Sequence, residues 1–309
     1  MLSKSNNLLL TEDGSITCRD QESGELYHNQ AGAYSEALQH YVQVCDLNKC
    51  LQIQNAISVL DVCFGLGYNT FVLINRLIEL TEQESFAKKT IICSITGIDK
   101  DPEILNIIKD VLDDPRLTRI CRAFCLGSPI IENMITVWKN SGKYKLEFQG
   151  KAKLKIEIEM LIDDLRLLIP KLVGARYDYI FHDGFSPRSM PELWTADLFA
   201  QYVKMLNPHG RIITYSSAAA VRGAFKECGL VVRKSAPLGG KSGGTVAFLA
   251  EKEGIIDKHF ILDLDDDESR RLESRSSIPY RDPNLNSTRE EINSRRILEI
   301  QQSQLPKCY

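Results

Sequence analysis

From Ile57 onward, short apolar runs alternate with stretches whose apolar residues recur at helical spacing. The pattern predicts strands at 57–63, 91–98, 155–162, 177–182, 210–216, 230–235 and 245–250. It predicts helices at 68–80, 102–111, 164–172, 195–206 and 218–228. Such alternation implies a mostly parallel sheet covered on both faces, an α/β fold. Two stretches break the rhythm: Pro129 to Trp138 reads as an extra helix, and Lys143 to Leu154 alternates across Gly150 like a hairpin inserted before the third core strand. Ahead of the core, Glu12-Asp13-Gly14-Ser15 reads as a hairpin turn and Ala31 to Val44 as an amphipathic helix. After Glu251 charge becomes dense, with Asp263, Asp265, Asp266, Asp267 and Glu268 followed by Arg270 and Arg271. That stretch reads as a solvated linker running to a helix at Thr288 to Gln302. The expected organisation is a cap segment over 1–55, a core over 56–250 with an insertion at about 128–154, and a charged tail over 251–309.

The most informative stretch is Val59-Leu60-Asp61-Val62-Cys63-Phe64-Gly65-Leu66-Gly67-Tyr68-Asn69, where an apolar strand runs into a two-glycine turn and then a helix. Gly65 and Gly67 let the backbone bend and approach a ligand without Cβ clashes, and the N–H groups opening the next helix face a polar or anionic group. A second apolar strand, Ile95-Thr96-Gly97-Ile98-Asp99-Lys100-Asp101, ends in an acid one helix later. That is where a βαβ nucleotide site places its acceptor for ribose hydroxyls.

With 309 residues and 43% hydrophobic content the chain can bury a large core. No apolar run reaches the roughly 18 residues that span a bilayer, and the first residues lack the order of a signal peptide, so a cytoplasmic protein without a membrane partner is expected. The nine cysteines form an odd set with no C-x-x-C pair, which argues against a disulfide framework and against a metal site. The net charge of −3 is unevenly spread: Lys204, Arg211, Arg222, Lys226, Arg233, Lys234 and Lys241 stand against Glu227 alone in residues 201–250. This suits phosphate attraction, and suits equally an ordinary surface balanced by acids folded nearby.

Because an acid precedes the turn, Asp61-x-Cys63-x-Gly65-x-Gly67 resembles the first motif of class I S-adenosylmethionine-dependent methyltransferases, with Cys63 in place of the first glycine. The resemblance implies a Rossmann-like sheet with an antiparallel last strand, and S-adenosyl-L-methionine as cofactor. The turn, with Asp61, Gly65, Gly67 and Asn69, would hold the methionine moiety and ribose, Asp99 would accept from both ribose hydroxyls, and Asp164 would lie near the adenine amine. Asp163 is an alternative to Asp164, and the pair can equally serve as helix N-terminal acids. Tyr27 and His28 can close over the cofactor or simply pack.

The segment Tyr177-Asp178-Tyr179-Ile180-Phe181-His182-Asp183-Gly184-Phe185-Ser186-Pro187, followed by Pro191-Glu192-Leu193-Trp194 and Leu198-Phe199, is similar to the F-x-D-G-F-[AS]-P…P-x-x-W segment of the MnmC methyltransferase domain family. The likeness covers roughly residues 10–250, and Ile278-Pro279-Tyr280-Arg281-Asp282-Pro283 resembles the ending of stand-alone members that lack the flavin oxidase domain. It implies methylation of 5-aminomethyl(-2-thio)uridine at the tRNA wobble position, with the anticodon loop as partner and no flavin. A strand-end acid such as Asp183 can bind an amine and orient its lone pair, but its ordinary pKa of about 3.9 makes it a poor base for full deprotonation. Asp183 is therefore the expected catalytic residue through orientation and late proton acceptance, next to the cofactor. Phe185 and Pro187 are expected to wall the acceptor base or methyl group, or equally to serve the turn, and Arg222 and Lys241 to contact tRNA phosphate, or equally to lie on a surface loop. Trp194 fits stacking on a base or, more simply, a core position. Two rival functions are an aminopropyltransferase, which shares the sheet but carries a denser glycine run, and a methyltransferase fold that binds RNA without turnover.

Overall fold

The computed structural model describes residues 8–20, 24–112, 114, 116, 128–140, 142–172, 174–237, 243–250 and 259–307. The chain divides into two compact units, Met1–Asp164 and Leu165–Tyr309.

In the first unit, β1 (Leu8–Leu10) and β2 (Ile16–Cys18) form an antiparallel pair. The turn between them is closed by Asp13, whose Oδ1 accepts from the Ser15 N–H at 2.9 Å and the Thr11 hydroxyl at 2.9 Å. The expected amphipathic helix is present but irregular: α1 (Ala33–Glu36) continues as a π-turn over Ala37–Val42 and a 3-10 turn over Gln43–Cys45, and the chain reverses at Asp46 with φ 49° before α2 (Leu47–Ile53). The core then follows as β3 (Ala56–Val62), α3 (Tyr68–Thr81), β4 (Thr90–Asp99), α4 (Ile104–Leu112), α5 (Ser128–Lys139), β5 (Lys143–Gln149) and β6 (Lys153–Ile162). Strands β3, β4 and β6 run parallel, with β5 antiparallel on the far side of β6; the hairpin expected ahead of the third core strand instead uses that strand as its second arm, because β6 runs unbroken from Lys153 to Ile162. Helix α3 carries apolar residues on nearly every face, so it is buried almost throughout.

The second unit opens with α6 (Leu165–Leu168), and continues through β7 (Tyr177–His182), α7 (Ala196–Met205), β8 (Leu206–Thr214), α8 (Ala219–Glu227), β9 (Leu230–Ser235), β10 (Thr245–Leu249), β11 (Ile261–Leu262), α9 (Asp266–Leu272) and α10 (Arg289–Gln302). The strand order is β7-β8-β10-β9-β11. Strands β7 and β8 are parallel, whereas β10 runs antiparallel to both β8 and β9 and supplies the reversed strand expected of a class I fold. The protein is thus α/β, with mixed, mostly parallel strands.

Two expectations change. The helix at 164–172 is one turn of α-helix followed by a 3-10 turn over Ile169–Leu172, because Pro170 has no N–H to continue the ladder. Beyond residues 251–258, which lie outside the described residues, the acidic run is solvated as expected, with Asp263, Asp265, Asp266 and Asp267 exposed, but it leads into an ordered helix rather than a linker. Asp265 caps α9 in a reciprocal capping box with Glu268, and the segment around Asp282 packs into the unit. Asp282 is fully buried; its Oδ1 accepts from the N–H groups of Asn286 and Ser287, and its Oδ2 meets Arg166 at 3.2 Å. The Ala196 N–H donates to the Tyr280 carbonyl at 3.0 Å, which fixes the tail to the start of α7.

Candidate active site

In the first unit β3 ends at Val62 and the chain turns through three left-handed positions, Cys63 (φ 60°), Gly65 (φ 53°) and Gly67 (φ 79°). Cys63, standing where a glycine is usual, adopts the conformation a glycine would take. The turn is closed by backbone: the Phe64 N–H donates to the Ile98 carbonyl at 2.9 Å and the Gly67 N–H to the Phe64 carbonyl at 2.9 Å. Glycine is required at 67, since a Cβ there would sit 2.5 Å from Cε2 of Phe71 and 2.7 Å from Cε1 of Phe64. The Phe64 ring is the anchor, edge-on to Phe71 at 6.2 Å and to Trp138 at 5.7 Å.

Asp99, at the tip of β4, reaches this turn. Its Oδ2 accepts the Gly65 N–H at 2.8 Å and its Oδ1 accepts the Asp101 N–H at 3.0 Å. Burial pushes its pKa up to about 6, against the pull of these backbone donors. The Tyr27 ring lies against the same place, 3.1 Å from where a Gly65 Cβ would stand. Its phenol is shifted up, first by burial and then by the Asp99 charge. Tyr27, Gly65 and Asp99 therefore converge.

The other residues expected at the cofactor lie in the same unit. Asp61 is fully buried and accepts from the Thr70 hydroxyl at 2.6 Å, fastening β3 to α3 beneath the turn. Asn69 is buried in the first turn of α3. The Asp163 N–H donates to the Asp99 carbonyl at 3.0 Å, and the Asp163 carboxylate accepts from the Asp164 N–H at 2.8 Å, so Asp163 organises the backbone while half-buried Asp164 follows it. His28 is a packing residue, edge-on to Tyr68 at 5.0 Å and held neutral by burial, which lowers its pKa to about 4. Sequence reasoning missed Tyr68, whose hydroxyl accepts the Ile16 N–H and donates to the Ile16 carbonyl, both at 3.0 Å, tying β2 to the helix that opens at the turn.

In the second unit Asp183 follows directly on β7 and is half-buried. The backbone after it is pinned twice: the Tyr215 hydroxyl donates to the Gly184 carbonyl at 2.9 Å, and the Trp194 indole N–H donates to the Phe185 carbonyl at 2.7 Å. Trp194 is fully buried and edge-on to His182 at 4.5 Å and Tyr215 at 6.0 Å, a core residue rather than a stacking platform. His182 is also fully buried; desolvation drives its pKa down to about 3, so the ring is neutral, with Nδ1 3.1 Å from the Tyr202 hydroxyl. Phe185 and Pro187 are half-buried in the turn that follows, which Ser186 and Ser189 close by a 3.0 Å backbone bond.

Arg222 departs from expectation. It is 2% exposed, and its guanidinium meets Glu268 at 2.8 Å, the Thr245 hydroxyl at 3.0 Å and the carbonyls of Gly243 and Gly244 at 3.4 and 3.3 Å. A buried and saturated guanidinium is a structural strut, not a surface phosphate contact. Lys241 lies outside the described residues.

The arrangement fits a nucleoside-bearing donor: a tight glycine turn that opens a helix, and beside it a carboxylate suited to hydroxyl donors. Among the described residues no group of His, Cys, Asp and Glu could hold a metal ion, and no helix is long and apolar enough to cross a membrane.

Residues 128–250 match a family model described as S-adenosyl-L-methionine-dependent methyltransferase. An uncharacterised protein of Methanocaldococcus jannaschii is 28% identical over 94% of this chain and 71% of its own length. The tRNA 5-methylaminomethyl-2-thiouridine biosynthesis bifunctional protein MnmC of Burkholderia vietnamiensis is 27% identical over 76% of this chain, and the chain spans only 33% of that relative. The crystal structure of MnmC2 from Aquifex aeolicus superposes with a TM-score of 0.72 at 27% identity, covering 96% of this chain and 85% of that one.

Proposed function

We propose that this chain, an S-adenosyl-L-methionine-dependent methyltransferase of the MnmC type, methylates the 5-aminomethyl group of a wobble uridine, with or without the 2-thio group, in the anticodon loop of tRNA. The name of the Burkholderia relative gives the product nucleoside, 5-methylaminomethyl-2-thiouridine, whose aminomethyl precursor lacks one methyl, and the chemistry of the Asp183 segment supports such a transfer. The cofactor, when bound, supplies an electrophilic methyl on a sulfonium. The amine nitrogen forms the new N–C bond as the S–C bond breaks, and the nitrogen then loses one proton.

This chain's residues have three tasks. In this reading the backbone of Gly65 and Gly67 holds the donor's methionine and ribose, with Asp99 accepting from the ribose hydroxyls and Tyr27 closing over them. Asp164 faces the adenine amine. Asp183 accepts an N–H of the substrate amine, which aims the lone pair and gives the departing proton a destination. Alignment of this kind supplies ~7–11 kcal/mol of the barrier. An alkyl amine is mostly protonated at neutral pH, with a reference pKa of about 10.4, and a neighbouring sulfonium charge favours its free base. Phe185 and Pro187 wall the acceptor base. Residues 56–250 form the catalytic core, 1–55 a cap and 251–309 an appended tail, and the enzyme works in the cytoplasm, where tRNA is.

The observation that carries this reading is the placement of Asp183 on a backbone fixed at both following carbonyls by Tyr215 and Trp194. The test is mass spectrometry of tRNA nucleosides after incubation with protein and donor. One added methylene on aminomethyluridine is expected, and Asp183→Ala should abolish it with donor affinity retained. Alkylation of putrescine by a decarboxylated donor, with no change in tRNA, would replace this reading with an aminopropyltransferase. Binding of tRNA without saturable donor binding would mean a fold that has lost turnover.

A further inference from the structure

Strand β5, Lys143–Gln149, pairs with β6 on one side only; among the described residues no strand is hydrogen-bonded to its outer edge. Open edges are usually blunted by charge. Here Lys143, Lys145 and Glu147 stand on one face of the strand, exposed. Within the hairpin they already form a cross-strand lattice: Lys143 with Glu157 and Glu159 at 3.2 and 3.4 Å, Lys145 with Glu157 at 3.5 Å, and Glu147 with Lys153 at 2.7 Å. On the opposite face stand Tyr144, Leu146 and Phe148, of which the two aromatics are only half-buried.

The order of these residues is self-complementary when the strand is read against a reversed copy of itself. With a two-fold axis through Leu146, antiparallel pairing sets Lys145 opposite Glu147 twice, Tyr144 opposite Phe148 twice, and Leu146 opposite its own copy. Directly opposed residues of an antiparallel pair share a face, so the charged pairs fall on the solvated face and the aromatic pairs on the apolar one. Shifting this register by two residues in one direction pairs Lys145 with Lys145, and in the other Glu147 with Glu147, so charge selects the central alignment. A single such patch meeting itself is an isologous, closed contact.

We infer that the outer edge of β5 is an interaction surface for a second copy of this chain, joined antiparallel about Leu146. A strand of seven residues spans roughly 24 Å, which makes this a small contact and the association dependent on concentration.

The test is sedimentation equilibrium of the full chain from about 1 µM to about 100 µM, the range in which a contact of this size populates a dimer. Wild-type protein is expected to self-associate. Lys145→Glu and Glu147→Lys should each be monomeric, because each places like charges opposite one another. An equimolar mixture of the two variants should form a heterodimer, which also shows that both are folded. Wild-type protein that stays monomeric throughout, a dimer unaffected by either substitution, or a mixture that stays monomeric would each overturn the proposal.

Discussion

The Gly65 N–H and the Asp99 carboxylate meet at 2.8 Å, so the glycine turn after β3 and the acid at the end of β4 are one bonded unit before any ligand arrives. This bond preorganises the acid, and burial sets its titration. Burial raises the Asp99 pKa to about 6 from an ordinary 3.8. A protonated carboxyl loses acceptor capacity, so donor affinity is expected to fall as pH drops through 6, by about tenfold at pH 5 relative to neutral. The stability sign is opposite. Because the folded pKa lies above the unfolded one, the folded chain holds the extra proton between about pH 4 and 6, and Asp99 opposes folding increasingly as pH rises through that window. Asp99→Asn relieves that opposition at pH 7 but leaves one acceptor oxygen where the Gly65 and Asp101 N–H groups now have two, a loss of about 1 kcal/mol, so the melting temperature should change little while the donor weakens by about 10–100-fold, the worth of hydrogen bonds to a charged acceptor. Calorimetric titration of the donor at pH 5, 6 and 7 checks both.

Cys63 and Gly67 share left-handed backbone but differ in their surroundings. A side chain at Cys63 bears the intrinsic cost of that conformation, about 1–2 kcal/mol for an L-residue, partly offset because glycine loses more entropy on folding. Cys63→Gly is expected to gain up to about 1 kcal/mol in denaturant unfolding and to keep donor binding. Gly67→Ala faces both the backbone cost and the Phe64 and Phe71 rings within 2.7 Å, and should lose about 2–4 kcal/mol. If Cys63→Gly destabilised the protein, the thiol would have to be contributing contacts that outweigh its strain.

Tyr215→Phe removes one hydroxyl and leaves the ring packed against Trp194. The Gly184 carbonyl loses its donor at 2.9 Å, a change of about 1 kcal/mol in stability. Small displacements of a positioned group cost far more in rate than in stability, so kcat should fall by about tenfold or more while the donor KM stays near its wild-type value. A parallel loss of donor affinity would show that the Gly184 segment supports the cofactor rather than the amine.

What the sequence disclosed depended on whether the determining partners were local. The strand, turn and helix from Val59 to Asn69 were legible because apolar run, glycines and amphipathic stretch lie within a dozen residues, and the β5–β6 hairpin was legible from its alternation across Gly150. Trp194 as core was legible for the same reason, since a large ring beside an apolar run is ordinarily buried. The order of the tail was not: the acidic run is solvated as its composition suggests, but Glu268 is fixed by Arg222, 46 residues before it, and Lys234, 34 residues before it. The break in the helix after Leu168 has a local signal in Pro170, which the apolar periodicity on either side masks. The double role of the Tyr68 hydroxyl on Ile16 had no local signal, because its partner lies 52 residues away.

Arg222 and Glu268 decide between two meanings of a basic residue. The guanidinium is held by a carboxylate at 2.8 Å, a threonine hydroxyl and two glycine carbonyls, all inside the second unit. Glu268→Ala strands the guanidinium in a medium that solvates charge poorly and should cost about 3–5 kcal/mol, whereas Arg222→Ala leaves Glu268 its Lys234 partner at 2.7 Å and should cost less. Replacing both should cost less than the two losses together, because the second change removes a charge already left alone. Arg222→Lys should rescue little, since an ammonium cannot reach the threonine, carboxylate and carbonyls from one planar fork. Thermal melts of the four variants measure this coupling, and tRNA affinity normalised to folded protein separates it from a phosphate role. Arg222→Ala that melted like wild type but bound tRNA more weakly, with a shallower salt dependence, would place the guanidinium on RNA after all.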